Sequence, residues 1–261
     1  MFQLYDFTFS HYCEKARWAL DFKGIAYTPR HLLPGFHMLA IRKIAPLSCL
    51  PILAGEGNVV QDSTQIINFL EQRFPDPPLT PADPNQAHEA IEWEEYLDEE
   101  IGVTLRRWFY FHTLPDRRRA MQFLCREASG TQRVLFGFAF APIRRAMTQM
   151  MDIHPEPARD AERRFMIALD RLDNALAHRA FLVGDRFSRA DLTACALLSA
   201  FCRPGECESQ LQGLLPEPVW ALRNRLKHRR FYHWVCDMYR QQRTPARHRD
   251  TSQTRAAGNP Q

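Results

Sequence analysis

Four absences bound this 261-residue chain before any residue is given a role. Its longest nearly unbroken apolar run is Val134 to Ile143, well short of the ~20 residues a membrane-spanning helix needs, so no membrane partner is expected. It opens on Met1-Phe2-Gln3-Leu4-Tyr5-Asp6, with no basic stretch followed by an apolar one, so no secretory signal is visible and the expected location is the cytoplasm. Its seven cysteines show no paired framework, which argues against a disulfide-stapled scaffold and for reduced thiols. Cys195, Cys202, Cys207, His228 and His233 contain no close Cys-x-x-Cys pair, so no metal is expected. Nor is there a large charge surplus. The net charge is +4, and much of it sits in the Arg-rich end after Tyr239, a distribution that argues against nucleic-acid binding.

What is present falls into two halves. Phe2, Leu4 and Asp6 alternate with Gln3, Tyr5 and Phe7, the period of a strand of about five residues. From Ser10 the period turns helical through Cys13, Ala16 and Leu20, and Gly24 stands where such a helix stops. Ile25 to Leu33 reads as a second strand and His37 to Ile44 as a short link. Leu50-Pro51-Ile52-Leu53 and Val59-Val60 flank the hairpin signal Gly55-Glu56-Gly57-Asn58. Asp62-Ser63 then caps a helix with Ile66, Ile67, Leu70 and Phe74 on one face. The first half is therefore α/β, a β-α-β followed by β-β-α, over residues 1–78. A proline-rich linker is expected at 79–87. Residues 88–242 carry only helical spacing, with helices expected at 87–112, 117–130, 142–152, 157–179, 189–202 and 218–242, giving an all-helical second domain. Residues 243–261 have almost nothing to bury and are expected to be a disordered basic tail.

Three short motifs punctuate the first half, and a box marks the second. Ser10 stands at the N-cap of the first helix, where its oxygen can accept from the N–H of residue 12 or 13. Leu50-Pro51 precedes a strand, and Asp62-Ser63 opens a helix whose N-terminal N–H groups suit an anion. In Phe187-Ser188-Arg189-Ala190-Asp191-Leu192, Ser188 caps, Asp191 reaches back and Phe187 staples onto Leu192, a folding element rather than a site.

In this order, a strand, then Ser-x-x-Cys-x-Lys-x-Arg on a helix, then Leu-Pro, Asp-Ser and a helical domain, the chain resembles a cytosolic glutathione transferase of the Ser type, whose first domain is similar to thioredoxin. The resemblance implies a detoxifying transferase, a homodimer, with glutathione as co-substrate and a small hydrophobic electrophile as partner. It implies that Ser10 donates to the glutathione thiol and favours its thiolate, and that Pro51 is cis so that the Leu50 main chain meets the glutathione cysteine. Ser63 would hold the γ-glutamyl carboxylate, with Asp62 and Gln61 toward its ammonium. Trp108 and Phe111 would line the acceptor pocket. Tyr5 and Tyr12 are rival activators of the thiol, ranked behind Ser10. One departure is the run Leu47-Ser48-Cys49-Leu50, where many relatives carry a lysine; His37, Arg42 and Lys43 are the candidates to replace it. Two further readings remain open: a thiol-disulfide oxidoreductase with Cys13 as the redox residue, and a non-catalytic interaction protein.

Overall fold

The computed structural model describes residues 1–202 and 215–243; Cys207 and the expected disordered tail from residue 244 onward lie outside the described residues. Strand β1 (Phe2–Asp6) buries Phe2, Leu4 and Asp6, as its alternation requires. It is followed by α1 (His11–Phe22), β2 (Tyr27–His31), the short α2 (His37–Ile41), β3 (Ile52–Gly55), β4 (Asn58–Gln61) and α3 (Ser63–Arg73). The sheet order is β2-β1-β3-β4, with β1 parallel to β2 and antiparallel to β3, and β3 antiparallel to β4. The parallel pair needs a crossover, which α1 provides.

The second half is helical throughout its described residues. α4 (Pro84–Leu97) runs into a π-helical segment (Asp98–Val103) and then α5 (Thr104–Thr113); α6 (Arg117–Leu124), α7 (Gly130–Met150), α8 (Pro155–Ala175), α9 (Arg189–Cys202), α10 (Glu217–Leu226) and α11 (Arg230–Gln242) complete it. Among the described residues no helix is long and apolar enough to cross a membrane.

Several boundaries differ from the sequence expectation for identifiable reasons. α4 already begins at Pro84, inside the expected linker, because Asp83 accepts from Asn85 N and Gln86 N and proline is well suited to the first turn. α7 starts at Gly130, where a break was expected, but it runs through 131–141, where no helix was expected, and on past Pro142 without a break. Ser129 and Gln132 form a reciprocal capping box at its start, and buried Phe136 and Phe140 hold the helix across the proline. Arg243, expected to begin the tail, is instead paired with Glu14 and Asp21 on α1.

The two halves share one apolar core. Its seam is α1 against α9, closed by Trp18, whose ring stacks on Phe187 at 5.7 Å and meets Tyr239 edge-on at 4.5 Å. Trp18 Nε1 also donates to Gln242 O at 3.3 Å. The start of α1 is thereby fixed relative to the helical half.

Candidate functional site

Ser10 caps α1 as expected: its oxygen accepts from Cys13 N at 3.4 Å. Because that bond uses an oxygen lone pair, the hydroxyl proton stays available to a further acceptor. The loop before it is tied down by Arg17, whose guanidinium donates to Asp6 Oδ2 at 2.5 Å, Phe7 O at 3.4 Å and Thr8 O at 3.3 Å. Ser10 N donates to Phe7 O at 3.1 Å.

Leu50, Pro51, Asp62 and Ser63 come together with Tyr12, Cys49, Val103 and Arg106 around one cleft of about 410 Å³, whose wall also carries the carboxylates of Glu95, Asp98 and Glu99. The Leu50–Pro51 bond is cis. Asp62 adopts φ 87°, in the region that favours glycine, and its Oδ1 accepts from Thr64 N at 2.8 Å and Gln65 N at 3.1 Å. Capping by Asp62 thus uses two of the N–H groups at the start of α3. Asp62 Oδ2 and Ser63 remain at the cleft wall.

Behind this wall the N-terminus of α3 is bolted to the helical half. Lys15, fully buried, reaches Thr64 Oγ1 at 2.9 Å, Asp98 Oδ2 at 2.6 Å and Glu94 Oε1 at 2.7 Å, and Glu94 also pairs with Arg189. Burial pushes the Glu94 carboxyl up, but Lys15 and Arg189 outweigh it and hold the group below the ordinary value. For Asp98 burial wins over Lys15, and the carboxyl sits above it.

Ser10 itself opens on a neighbouring cavity of about 40 Å³, lined by Phe9, His11, Leu105, Arg106, Phe109, Tyr110, Phe123 and Ala200. Arg106 lines both spaces. His11 is 6% exposed, and burial together with the Arg106 charge lowers its pKa to about 3, so it is neutral at physiological pH.

Other expected residues lie elsewhere. Gln61 does not line the cleft: its amide accepts from Leu47 N at 3.2 Å and donates to Leu47 O at 2.7 Å and Cys49 O at 2.8 Å, which pins the loop before Pro51. Trp108 is buried in the helical core with Nε1 donating to Glu162 at 3.2 Å, and Phe111 packs edge-on to His112; neither borders the cavity beside Ser10. The helix is the expected one, but Leu105, Arg106, Phe109 and Tyr110 are on the face turned to the site. Ser188 Oγ donates to Asp191 Oδ2 at 2.8 Å instead of acting as a cap acceptor, while Asp191 also accepts from Ser188 N at 2.9 Å and Leu182 N at 2.7 Å.

The rival groups are occupied or remote. Tyr12 OH donates to Asp98 O at 2.8 Å, and burial raises its pKa. Tyr5 OH donates to Gln3 at 3.2 Å. Cys13 is fully buried; burial first, then Asp6, push its thiol up to about 12, the reverse of the lowered value a reactive thiol requires. His37 is committed to Ser48 O at 3.0 Å and lowered by burial, and neither Arg42 nor Lys43 borders the cleft. Arg106 and His11 were missed by sequence reading. His11 was legible only as a substituent within Ser10-His11-Tyr12-Cys13, and Arg106 is one of many helical arginines until the fold places it.

Comparison with known proteins identifies the family and the fold. Residues 4–78 match the family model described as Glutathione S-transferase, N-terminal domain, and residues 145–241 the model described as Glutathione S-transferase, C-terminal domain. "Glutathione S-transferase Z1" of Arabidopsis thaliana is 30% identical over 120 residues, 39% of this chain and 54% of the relative. "Glutathione S-transferase TCHQD" of the same plant is 26% identical over 208 residues, 76% of each chain. The chain spans between 38% and 54% of the lengths of the first three curated relatives it matches. Among solved structures, a glutathione S-transferase of Methylobacterium radiotolerans in complex with glutathione sulfonate superposes with a TM-score of 0.56 at 23% identity, covering 89% of this chain and 92% of that one.

Proposed function

This chain belongs to the glutathione S-transferase superfamily, and we propose that it is a glutathione transferase in which Ser10 holds the glutathione thiolate for attack on a hydrophobic electrophile. The observation that carries the reading is the place of Ser10: its oxygen accepts from Cys13 N, its hydroxyl is a donor that the buried Cys13 sulfur shares, and it opens at the mouth of α1 on the cavity beside the cleft. Glutathione lies with its γ-glutamyl carboxylate at Ser63 and its ammonium toward Asp62 Oδ2. Its cysteine backbone meets the Leu50 main chain, and its sulfur points to Ser10.

The energetics suffice. Lowering a thiol by two pKa units requires ~2.7 kcal/mol of preference for the anion. A hydrogen bond to a charged group supplies ~1.5–3 kcal/mol, and a helix N-terminus adds ~0.3–1 kcal/mol. The thiol proton leaves to solvent on binding. The sulfur then forms its bond to the electrophilic carbon as the bond to the leaving group breaks and the electron pair departs with that group.

Substitution Ser10→Ala should lower kcat by about tenfold to hundredfold, the value of one charge-assisted hydrogen bond, while glutathione still raises the melting temperature. In the parent protein, glutathione at a hundred times its dissociation constant should stabilise by ~2.7 kcal/mol. Full activity in Ser10→Ala would sink the role of Ser10, and no thermal shift at millimolar glutathione would favour a non-catalytic interaction protein. The same reading makes the protein a cytoplasmic homodimer without a metal, expected to sediment at twice the monomer mass.

A further inference from the structure

Arg106 is a cation with no direct salt bridge, although Glu95, Asp98 and Glu99 line the cleft side it borders. Among the described residues it forms no ion pair, its Nε is buried without a hydrogen-bond partner, and its guanidinium lies 5.6 Å from the centre of the Tyr12 ring. Among the described residues it is the one permanent cation bordering either the cleft or the cavity beside Ser10. His11 shares the cavity wall, and its Nε2 is also buried without a partner. Buried polar atoms are nearly always satisfied, and two unsatisfied donors or acceptors on one wall mark where a ligand supplies the missing atoms.

We propose that Arg106 and His11 form an anion-binding subsite on the acceptor side, which selects electrophiles bearing a carboxylate. This rests on the reading of the adjacent cleft as the glutathione site. The cavity, about 40 Å³, has room for about three waters at ~10–15 Å³ each, the size of a carboxylate group. Phe9, Phe109 and Phe123 line the same cavity and give the guanidinium an apolar surround, which strengthens its attraction for an anion. A planar guanidinium is the side chain best matched to a carboxylate. Glutathione's own glycyl carboxylate is the other source of the same chemistry. Ser10 marks the sulfur end and borders the small cavity together with Arg106 and His11; Arg106 also borders the cleft, and His11, which lines the small cavity alone, assigns the pair to the acceptor side.

The test is calorimetric binding of three ligands: glutathione, S-(4-carboxybenzyl)glutathione and its ring methyl ester. The parent protein should bind the carboxylate conjugate about tenfold to hundredfold tighter than the ester, the range of a charge-assisted pair. Arg106→Met should erase that preference and leave glutathione itself within about twofold, Arg106→Lys should keep part of it, and His11→Phe should reduce it, each with an unchanged circular dichroism spectrum. Equal binding of the two conjugates by the parent protein overturns the subsite. Loss of glutathione affinity in Arg106→Met to the same degree overturns it too, by assigning the arginine to the glycyl carboxylate. 4-Methylbenzoate is titrated in parallel because it needs no glutathione. If it binds the parent but not Arg106→Met while glutathione fails to bind, the cleft reading falls and the subsite stands; if neither binds, both fall.

Discussion

Ser10 and Cys13 sit one helical turn apart and meet opposite environments. Ser10 is half-buried with its hydroxyl at the mouth of α1, while Cys13 is enclosed, with Phe7 N donating to its sulfur at 3.4 Å. With its thiol at about 12, Cys13 is almost wholly protonated at pH 8, and the thiolate is the reactive form. Brief iodoacetamide treatment of the native protein at pH 8, read by peptide mass spectrometry, should therefore modify exposed Cys49 and leave Cys13 untouched until denaturant is added. Modification of Cys13 at the rate of Cys49 would restore the oxidoreductase reading. At this scale the sequence was informative where a residue acts through its own backbone neighbourhood. A cap such as Ser10, or the Asp62-Ser63 pair, needs only the next three residues. The hydrogen bonds of Gln61 were not legible in this way, because its amide is used by residues 47–49, a partnership that depends on how β4 lies against that loop.

At the scale of elements, Lys15 is the fastener. One ammonium joins α1 to Thr64 on α3, to Glu94 on α4 and to Asp98 in the π-helical segment, and it is completely removed from solvent. Breaking a buried pair by removing one partner typically costs ~3–5 kcal/mol, since charges are left behind without compensation. Lys15→Met should lower the unfolding free energy by that much, read as a lower urea midpoint at unchanged slope; a loss below ~1 kcal/mol would show that Arg189 and Thr64 alone satisfy the two carboxylates. The π-helical segment has its own consequence. Gly102 leaves room for Tyr12, since a Cβ there would lie 2.3 Å from the Tyr12 hydroxyl oxygen. A π turn also holds one residue more than an α turn, which rotates the side chains of α5 by about 100° relative to a continuous α-helix. The apolar spacing from 87 to 112 reads as one continuous helix, and nothing local in it announces the wide turn. The alternation of β1, the hairpin at Gly55–Asn58 and the face of α3 were legible because each obeys a single period. The face of α5 was not, so Trp108 and Phe111 were chosen where Arg106 and Phe109 border the cavity.

For the whole molecule, the shared core across α1 and α9 means that both halves should unfold in one transition, so titrations at either helix report on the same stability. His11 begins α1, and its pKa of about 3 lies below the unfolded 6.5. Its contribution is present above pH 6.5 and is lost as pH falls toward 3, because the unfolded chain takes up a proton that the folded one refuses. Asp191, near the start of α9, is shifted the other way. Burial lifts it to about 6 against four donors that favour the anion, the Leu182 and Ser188 N–H groups, the Ser188 hydroxyl and its own N–H, so its contribution is complete below the unfolded value near 3.8 and disappears as pH rises through 6. Between pH 4 and 6 each of these slopes is limited to ~1.4 kcal/mol per pH unit, and they have opposite signs. The native protein should accordingly show little change from this pair over that interval. Replacing one member exposes the other: relative to the parent, His11→Asn should gain stability as pH is lowered from 6 to 4, and Asp191→Asn should lose it. Asp191→Asn carries a further pH-independent loss of ~1–3 kcal/mol, because an amide nitrogen cannot accept from Leu182 N or Ser188 N. Thermal melts of the three proteins at pH 4, 5, 6 and 7 separate the constant loss from the slope, and parallel curves for all three would show that neither group is coupled to folding as its burial requires.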